Sequence, residues 1–169
     1  LLNNKQQIDA IIFQDYNKGV LTGKVIDSLL QLADQRKIPT AIDPKRNHFF
    51  RYKNATLFKP NLRELQDALG IRITATDPAS LELAVAALKE KMPHRITLLT
   101  LSEHGVYAAD ETATVKLPAH LRNIADVSGA GDTVISVAAL CLATGLDMRT
   151  TTALSNRAGG LVCEKVGVI

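Results

Sequence analysis

The sequence predicts an α/β domain with a largely parallel sheet covered by helices. Short β-prone runs alternate with helical segments along the whole chain, which is the pattern of strand–helix–strand units. Most of the helical segments carry a local start or stop signal. With 169 residues, 46% apolar and 22% charged, the chain is long enough to bury a substantial core.

Taken in order, residues 9–14 read as a buried strand. Residues 22–37 form an amphipathic helix with Val25, Ile26, Leu29, Leu30, Leu32 and Ala33 on its apolar side. Pro39 follows that helix, and residues 40–43 and 55–58 are two further strands. Pro60-Asn61 opens a helix through Leu69 that Gly70 closes. Asp77 and Pro78 supply the N-cap and first position of the next helix, which stops near Pro93. Residues 96–101 are strongly β-prone, and 106–109 with 114–117 predict a hairpin. A brief strand at 124–127 feeds a Gly-rich turn and an apolar helix to Ala143, stopped by Gly145. A last helix runs from 148 to 165.

Composition excludes several functions. Aromatic residues make up 4%, with no Trp, too few for base-stacking platforms, and the net charge of +3 is spread along the chain. No apolar run approaches a membrane span. Cys141 and Cys163 sit in apolar segments without ligand spacing, as buried free thiols of a cytoplasmic protein do. His48, His94, His104 and His120 show no metal spacing and read as surface or loop residues. The chain starts without Met and ends without a helix stop, so both ends look cut.

The stretch Asp126-Val127-Ser128-Gly129-Ala130-Gly131-Asp132-Thr133 is the most informative. Gly129, Ala130 and Gly131 let backbone amides approach a ligand at the positive end of a helix dipole, a geometry that suits phosphate. Asp132 falls in the first helical turn beside the same pocket. A Gly-softened turn with a helix-start carboxylate would account for the same residues. A dinucleotide fingerprint fails because Val134 stands where a third small residue is needed. A Walker loop fails because Gly19 to Val25 has the wrong gap and ends in Val.

Residues 126–132 resemble the C-terminal signature of the ribokinase/PfkB carbohydrate kinases, Asp-Thr-x-Gly-Ala-Gly-Asp, with Val127 where Thr is usual. The resemblance implies an ATP-dependent phosphotransferase in which Asp132 deprotonates the acceptor hydroxyl. The amides of Gly129, Ala130 and Gly131 would stabilise the transferring phosphoryl group. Asn61-Leu62-Arg63-Glu64 is similar to the family's Asn-x-x-Glu motif, associated with Mg²⁺ and phosphate; a helix-start Asn with Glu at capping-box spacing is the plainer alternative. Thr100, Ser102 and Gly105 resemble the strand-end nucleotide loop; a hairpin turn would account for the same residues, alone or together with that role. Asn156 resembles the helix beside the adenine, where the small residues 158–160 could equally serve helix packing.

Asp15-Tyr16-Asn17-Lys18-Gly19 and Asp43-Pro44-Lys45 are similar to elements of the D-glycero-D-manno-heptose 7-phosphate kinases of ADP-heptose synthesis for lipopolysaccharide. That implies a sugar phosphate phosphorylated at its anomeric hydroxyl, with Lys18, Lys45 and Asp15 near the acceptor; solvated surface charge is the plainer alternative for each lysine. The resemblance treats 1–169 as the C-terminal, ATP-binding and catalytic part of a single kinase domain, its N-terminal half and lid absent. A non-catalytic nucleotide-binding fragment, or a kinase for ribose or fructose, stays open, as does homodimerisation. Neither nucleic acid nor membrane is expected as a partner.

Overall fold

The computed structural model describes residues 7–120 and 128–164. Six strands form one sheet in sequential order: β1 (Ile11–Gln14), β2 (Thr40–Asp43), β3 (Leu57–Phe58), β4 (Ile96–Thr100), β5 (Val106–Ala109) and β6 (Thr114–Leu117). Strands β1 to β4 run parallel, β5 pairs antiparallel with β4, and β5 with β6 forms the expected hairpin. The helices are α1 (Gly23–Arg36), α2 (Leu62–Leu69), α3 (Pro78–Lys91), α4 (Ala130–Ala143) and α5 (Met148–Val162).

Alternation along the strands sorts the core into two layers. Ile42, Phe58 and Leu99 point to one face and pack with Ile26 of α1, Leu65 of α2 and Leu81 of α3. Their neighbours Ala41, Leu57 and Leu98 point to the other face, against Ile135 and Ala138 of α4 and Met148 of α5. The sheet is therefore helix-covered on both faces, which is why its central strands read as continuous apolar runs.

Local chemistry sets the helix ends. Thr22 caps α1, Asp77 with Pro78 starts α3, Asp147 caps α5, and Gly70 in the left-handed region closes α2. Two strands start later than the sequence suggests. β1 begins at Ile11, whose amide bonds Pro39 O; Pro39 itself has no N–H to extend the ladder. β3 begins at Leu57 because Thr40 and Thr56 exchange hydrogen bonds, each amide to the other's hydroxyl at 3.0 Å, in place of a ladder pair. The helix α5 is described to Val162, and the expected strand at 124–127 lies outside the described residues.

One expectation is corrected: His94 is not a surface residue. It is buried, with Nδ1 2.7 Å from Met92 O and Nε2 2.7 Å from Thr97 Oγ1. A carbonyl only accepts, so Nδ1 carries the proton and Nε2 accepts from the threonine. Cys141 is buried and Cys163 half-buried, both as free thiols. No helix among the described residues is long and apolar enough to cross a membrane.

Candidate active site

The parallel strands end on the same edge of the sheet, where open α/β sheets bind ligands. Gln14 and Asp15 lie at or just past the end of β1, Asp43 ends β2, Lys59 follows β3, and Thr100 ends β4. The helix α4 starts at that edge. Gly129, at φ 78°, turns the chain in the left-handed region immediately before it and, having no side chain, places no cap on the first amides. Uncapped amides at the positive end of a helix can take an anion. Among the described residues, a Cβ added to Gly131 would meet only Lys59 Nζ, at 3.7 Å, so this turn offers open backbone near that side chain.

A cleft of about 480 Å³ opens beside this turn, lined among others by Thr100, Ser102, Gly105, Ala130, Gly131 and Asn156. The four residues expected to meet a nucleotide are thus brought together with the Gly-rich turn. Gly105 has a stereochemical reason to be glycine. Its φ is 84°, and a Cβ there would sit 2.0 Å from Leu117 O and 2.6 Å from Ala119 N. The hairpin end can lie against the loop only because that position has no side chain. Asn156 Nδ2 donates to Pro118 O at 2.9 Å and so pins the same segment. Gly159 and Gly160 are packing glycines: added Cβ atoms would meet Val134 Cγ2 and His120 O, each at 2.6 Å.

Asp132 lies in the first turn of α4 with its carboxylate exposed. Gln14 Nε2 donates to its Oδ1 at 2.8 Å, and the Tyr16 hydroxyl lies 3.3 Å from both oxygens. Behind it, the Lys59 ammonium is 3.1 Å from Asp43 Oδ1, and both side chains are almost fully buried.

Asn61 and Glu64 form a reciprocal capping box. Glu64 N–H donates to Asn61 Oδ1 at 2.8 Å, and Asn61 N–H to Glu64 Oε2 at 2.9 Å. Glu64 Oε1 takes the Lys45 ammonium at 2.6 Å. Burial alone would pull Lys45 down; the Glu64 bond, with the charges of Asp43, Glu64 and Asp15, outweighs it and holds the ammonium above the usual lysine range. No cluster of three His, Cys, Asp or Glu side chains suited to a metal occurs among the described residues. The one carboxylate of the Asn61–Glu64 motif has both oxygens hydrogen-bonded. Such a donor set fits a magnesium ion held through water and phosphate oxygens.

Asp15 is turned inward. It is 2% exposed, accepts from the Tyr52 hydroxyl at 3.2 Å and from Asn17 N–H at 2.8 Å, and has His48 Nδ1 3.9 Å away. Burial, then the Asp15 charge, push the Tyr52 phenol well above its ordinary value. Asp15 thus orders the turn that carries Lys18, which is itself exposed between the left-handed Asn17 and Gly19. Sequence reasoning missed Lys59 and Gln14. The signal for Lys59 was a cation at the end of a buried strand, directly before Pro60-Asn61.

A two-faced α/β sheet whose parallel strand ends converge on a Gly-flanked helix start has the layout of an anion-binding α/β domain. The chain belongs to the pfkB family of carbohydrate kinases, whose model matches residues 4–169. It is 40% identical over 166 residues to the bifunctional protein HldE of Syntrophotalea carbinolica and 41% identical over 166 residues to that of Koribacter versatilis. Each match takes in 98% of this chain and 34% of the relative, so the chain spans about a third of their length. Among solved structures it superposes on Escherichia coli phosphofructokinase-2 in complex with potassium, with TM-score 0.77 at 18% identity, over 87% of this chain and 48% of that one. The ribokinase of Arabidopsis thaliana, solved with ribose and ATP, gives TM-score 0.76 at 16% identity, over 87% and 48%. At such identities these two likenesses speak for the fold alone.

Proposed function

We propose that this chain is the ATP-binding and catalytic part of a cytoplasmic kinase that phosphorylates D-glycero-D-manno-heptose 7-phosphate at its anomeric hydroxyl. The observation that carries the proposal is the cleft. It gathers Thr100, Ser102, Gly105 and Asn156 around the open amides of Ala130 and Gly131, with Asp132 one residue further on. In the proposed reaction Asp132 takes the proton of the acceptor hydroxyl as that oxygen bonds the γ-phosphorus of ATP. The bond from the γ-phosphorus to the bridging oxygen breaks, and ADP leaves. Positioning and charge stabilisation dominate such a transfer, and the amides at the start of α4 would supply partial positive charge to the transferring group. Magnesium, when bound, neutralises phosphate oxygens; Asn61 and Glu64 are the residues that would hold it through water.

The heptose assignment draws on the two sugar motifs, 15–19 and 43–45, and on similarity to proteins named HldE. The exposed Asp132 and the edge position of β1 favour a further part of the same domain covering the acceptor side, so that this chain is the C-terminal part of one kinase domain. They also favour a second outcome for the isolated chain, nucleotide binding without turnover.

The test is an ATP-dependent phosphorylation assay on the intact protein and on residues 1–169, with heptose 7-phosphate, fructose 6-phosphate and ribose in parallel. Heptose 1,7-bisphosphate formation by the intact protein, lost in Asp132→Asn with ATP affinity kept within about threefold, is the expected result. Near-normal turnover in Asp132→Asn removes that residue from the mechanism. Preference for another acceptor replaces the heptose assignment.

A further inference from the structure

Gln14 Nε2 donates to two carboxylates at once: Asp132 Oδ1 at 2.8 Å and Asp43 Oδ2 at 2.9 Å. A primary amide nitrogen has two hydrogens, and ionised carboxylates only accept, so the nitrogen must face both and both hydrogens are spent. The parallel register places Gln14 beside Asp43 across β1 and β2, which fixes the stem of the side chain to the sheet. Asp43 is in turn tied to the Lys59 ammonium through its other oxygen. Among the described residues, the groups bonded to Asp132 are Gln14 from β1 and Tyr16 from the turn after it, with Asp43 from β2 behind the amide and Lys59 bonded to Asp43.

An exposed aspartate in a first helical turn has two free torsions and no reason to hold one orientation. Here one oxygen is clamped to a buried, charge-balanced pair at the sheet end, through a neutral linker that separates two carboxylates. We infer that Gln14 is a positioning residue for phosphoryl transfer: it fixes Asp132 Oδ1 to the sheet and leaves Oδ2 to receive the acceptor proton. The inference rests on Asp132 being the base. It deepens that assignment by naming the strand that aims it. The Tyr16 hydroxyl, 3.3 Å from both oxygens, has one proton to share between them, so Oδ2 keeps acceptor capacity for a second hydroxyl.

The experiment is steady-state and single-turnover kinetics on the intact protein, with ATP and whichever of heptose 7-phosphate, fructose 6-phosphate and ribose it turns over fastest. Gln14→Leu keeps the approximate volume and removes both donors. It should lower kcat about tenfold or more and leave the KM for ATP within twofold. Gln14→Glu keeps the amide's shape, cannot donate when ionised, and adds a third negative charge; it should lose at least as much. If the Leu variant does not fold, the Glu variant carries the comparison. In an Asp132→Asn background, Gln14→Leu should change the residual rate by less than twofold, because the carboxylate it holds is gone. A full tenfold loss repeated in that background would show a general structural role and overturn the inference. So would an unchanged kcat in Gln14→Leu alongside an inactive Asp132→Asn, and that result leaves the base assignment standing. Full turnover in Asp132→Asn overturns both.

Discussion

The Lys59 ammonium lies 3.1 Å from Asp43 Oδ1 with their side chains 4% and 7% exposed, so the sheet edge that meets the Gly-rich turn contains a buried ion pair. Removing one partner of such a pair leaves an uncompensated charge in low dielectric, at a cost of about 3–5 kcal/mol. Lys59→Met should therefore destabilise the protein by that amount in urea unfolding. Lys59→Met/Asp43→Asn should recover much of it, because the remaining side chain is neutral. A single-variant loss under about 1 kcal/mol would show that water reaches Asp43 once the lysine is gone.

Glu64 divides its two oxygens between the Asn61 amide and Lys45. Glu64→Gln keeps a cap acceptor and removes the charge. If the carboxylate helps hold hydrated magnesium, the apparent Mg²⁺ constant of turnover should rise about tenfold, equivalent to about 1.4 kcal/mol, with a small change in melting temperature. An unchanged magnesium titration would assign Glu64 to capping and to Lys45 alone.

Lys45 has a predicted effect on the acceptor instead. Its ammonium is held above the usual lysine range and sits at the strand edge where a phosphorylated sugar would lie. A charged hydrogen bond to phosphate contributes on the order of 1–3 kcal/mol. Lys45→Met, or Lys18→Met on the neighbouring turn, should raise the KM for a phosphorylated acceptor about tenfold or more. ATP and unphosphorylated sugars should be affected less. Normal binding of the phosphorylated acceptor by both variants would remove the main residue-level support for heptose 7-phosphate.

The parts of this structure that the sequence discloses are the ones made by near neighbours. Thr22, Asp77-Pro78 and Gly70 act within a turn of where they stand, and Asn61 and Glu64 are three residues apart, so their caps can be read directly. The apolar strands and the Gly129–Gly131 turn are equally local. What could not be read depends on chain crossings. Gln14 meets Asp132 across 118 residues, Tyr52 meets Asp15 across 37, and Lys45 meets Glu64 across 19. Asp15 carries no local sign that it would point inward, since the tyrosine that binds it lies on a later segment. His94 likewise looks like a loop residue beside Pro93, and only the packing of Phe58 5.4 Å away, together with Thr97, makes it a core residue.

That buried histidine makes stability depend on pH. Burial lowers the His94 pKa from 6.5 to about 4; the bond to Met92 O acts in the opposite sense, and the Lys89 charge adds to the lowering. In the folded protein the ring therefore stays neutral down to about pH 4, while in the unfolded chain it takes up a proton below about 6.5. Stability from this group is complete above pH 6.5 and falls as the pH drops toward 4, below which both states are protonated and the loss levels off. The whole window corresponds to about 3 kcal/mol, and the part between pH 7.5 and 5.0 to about 2 kcal/mol. Urea unfolding at those two pH values should show the intact protein losing at least that much on acidification. His94→Gln retains an amide that can bond Met92 O or Thr97 and has no titrating ring. Its stability at pH 7.5 should be lower than the parent's, because one of the two 2.7 Å bonds is lost. Its decline to pH 5.0 should be smaller than the parent's by about 2 kcal/mol. Equal declines in the two proteins would mean that acid reaches the ring without unfolding the strand end around it.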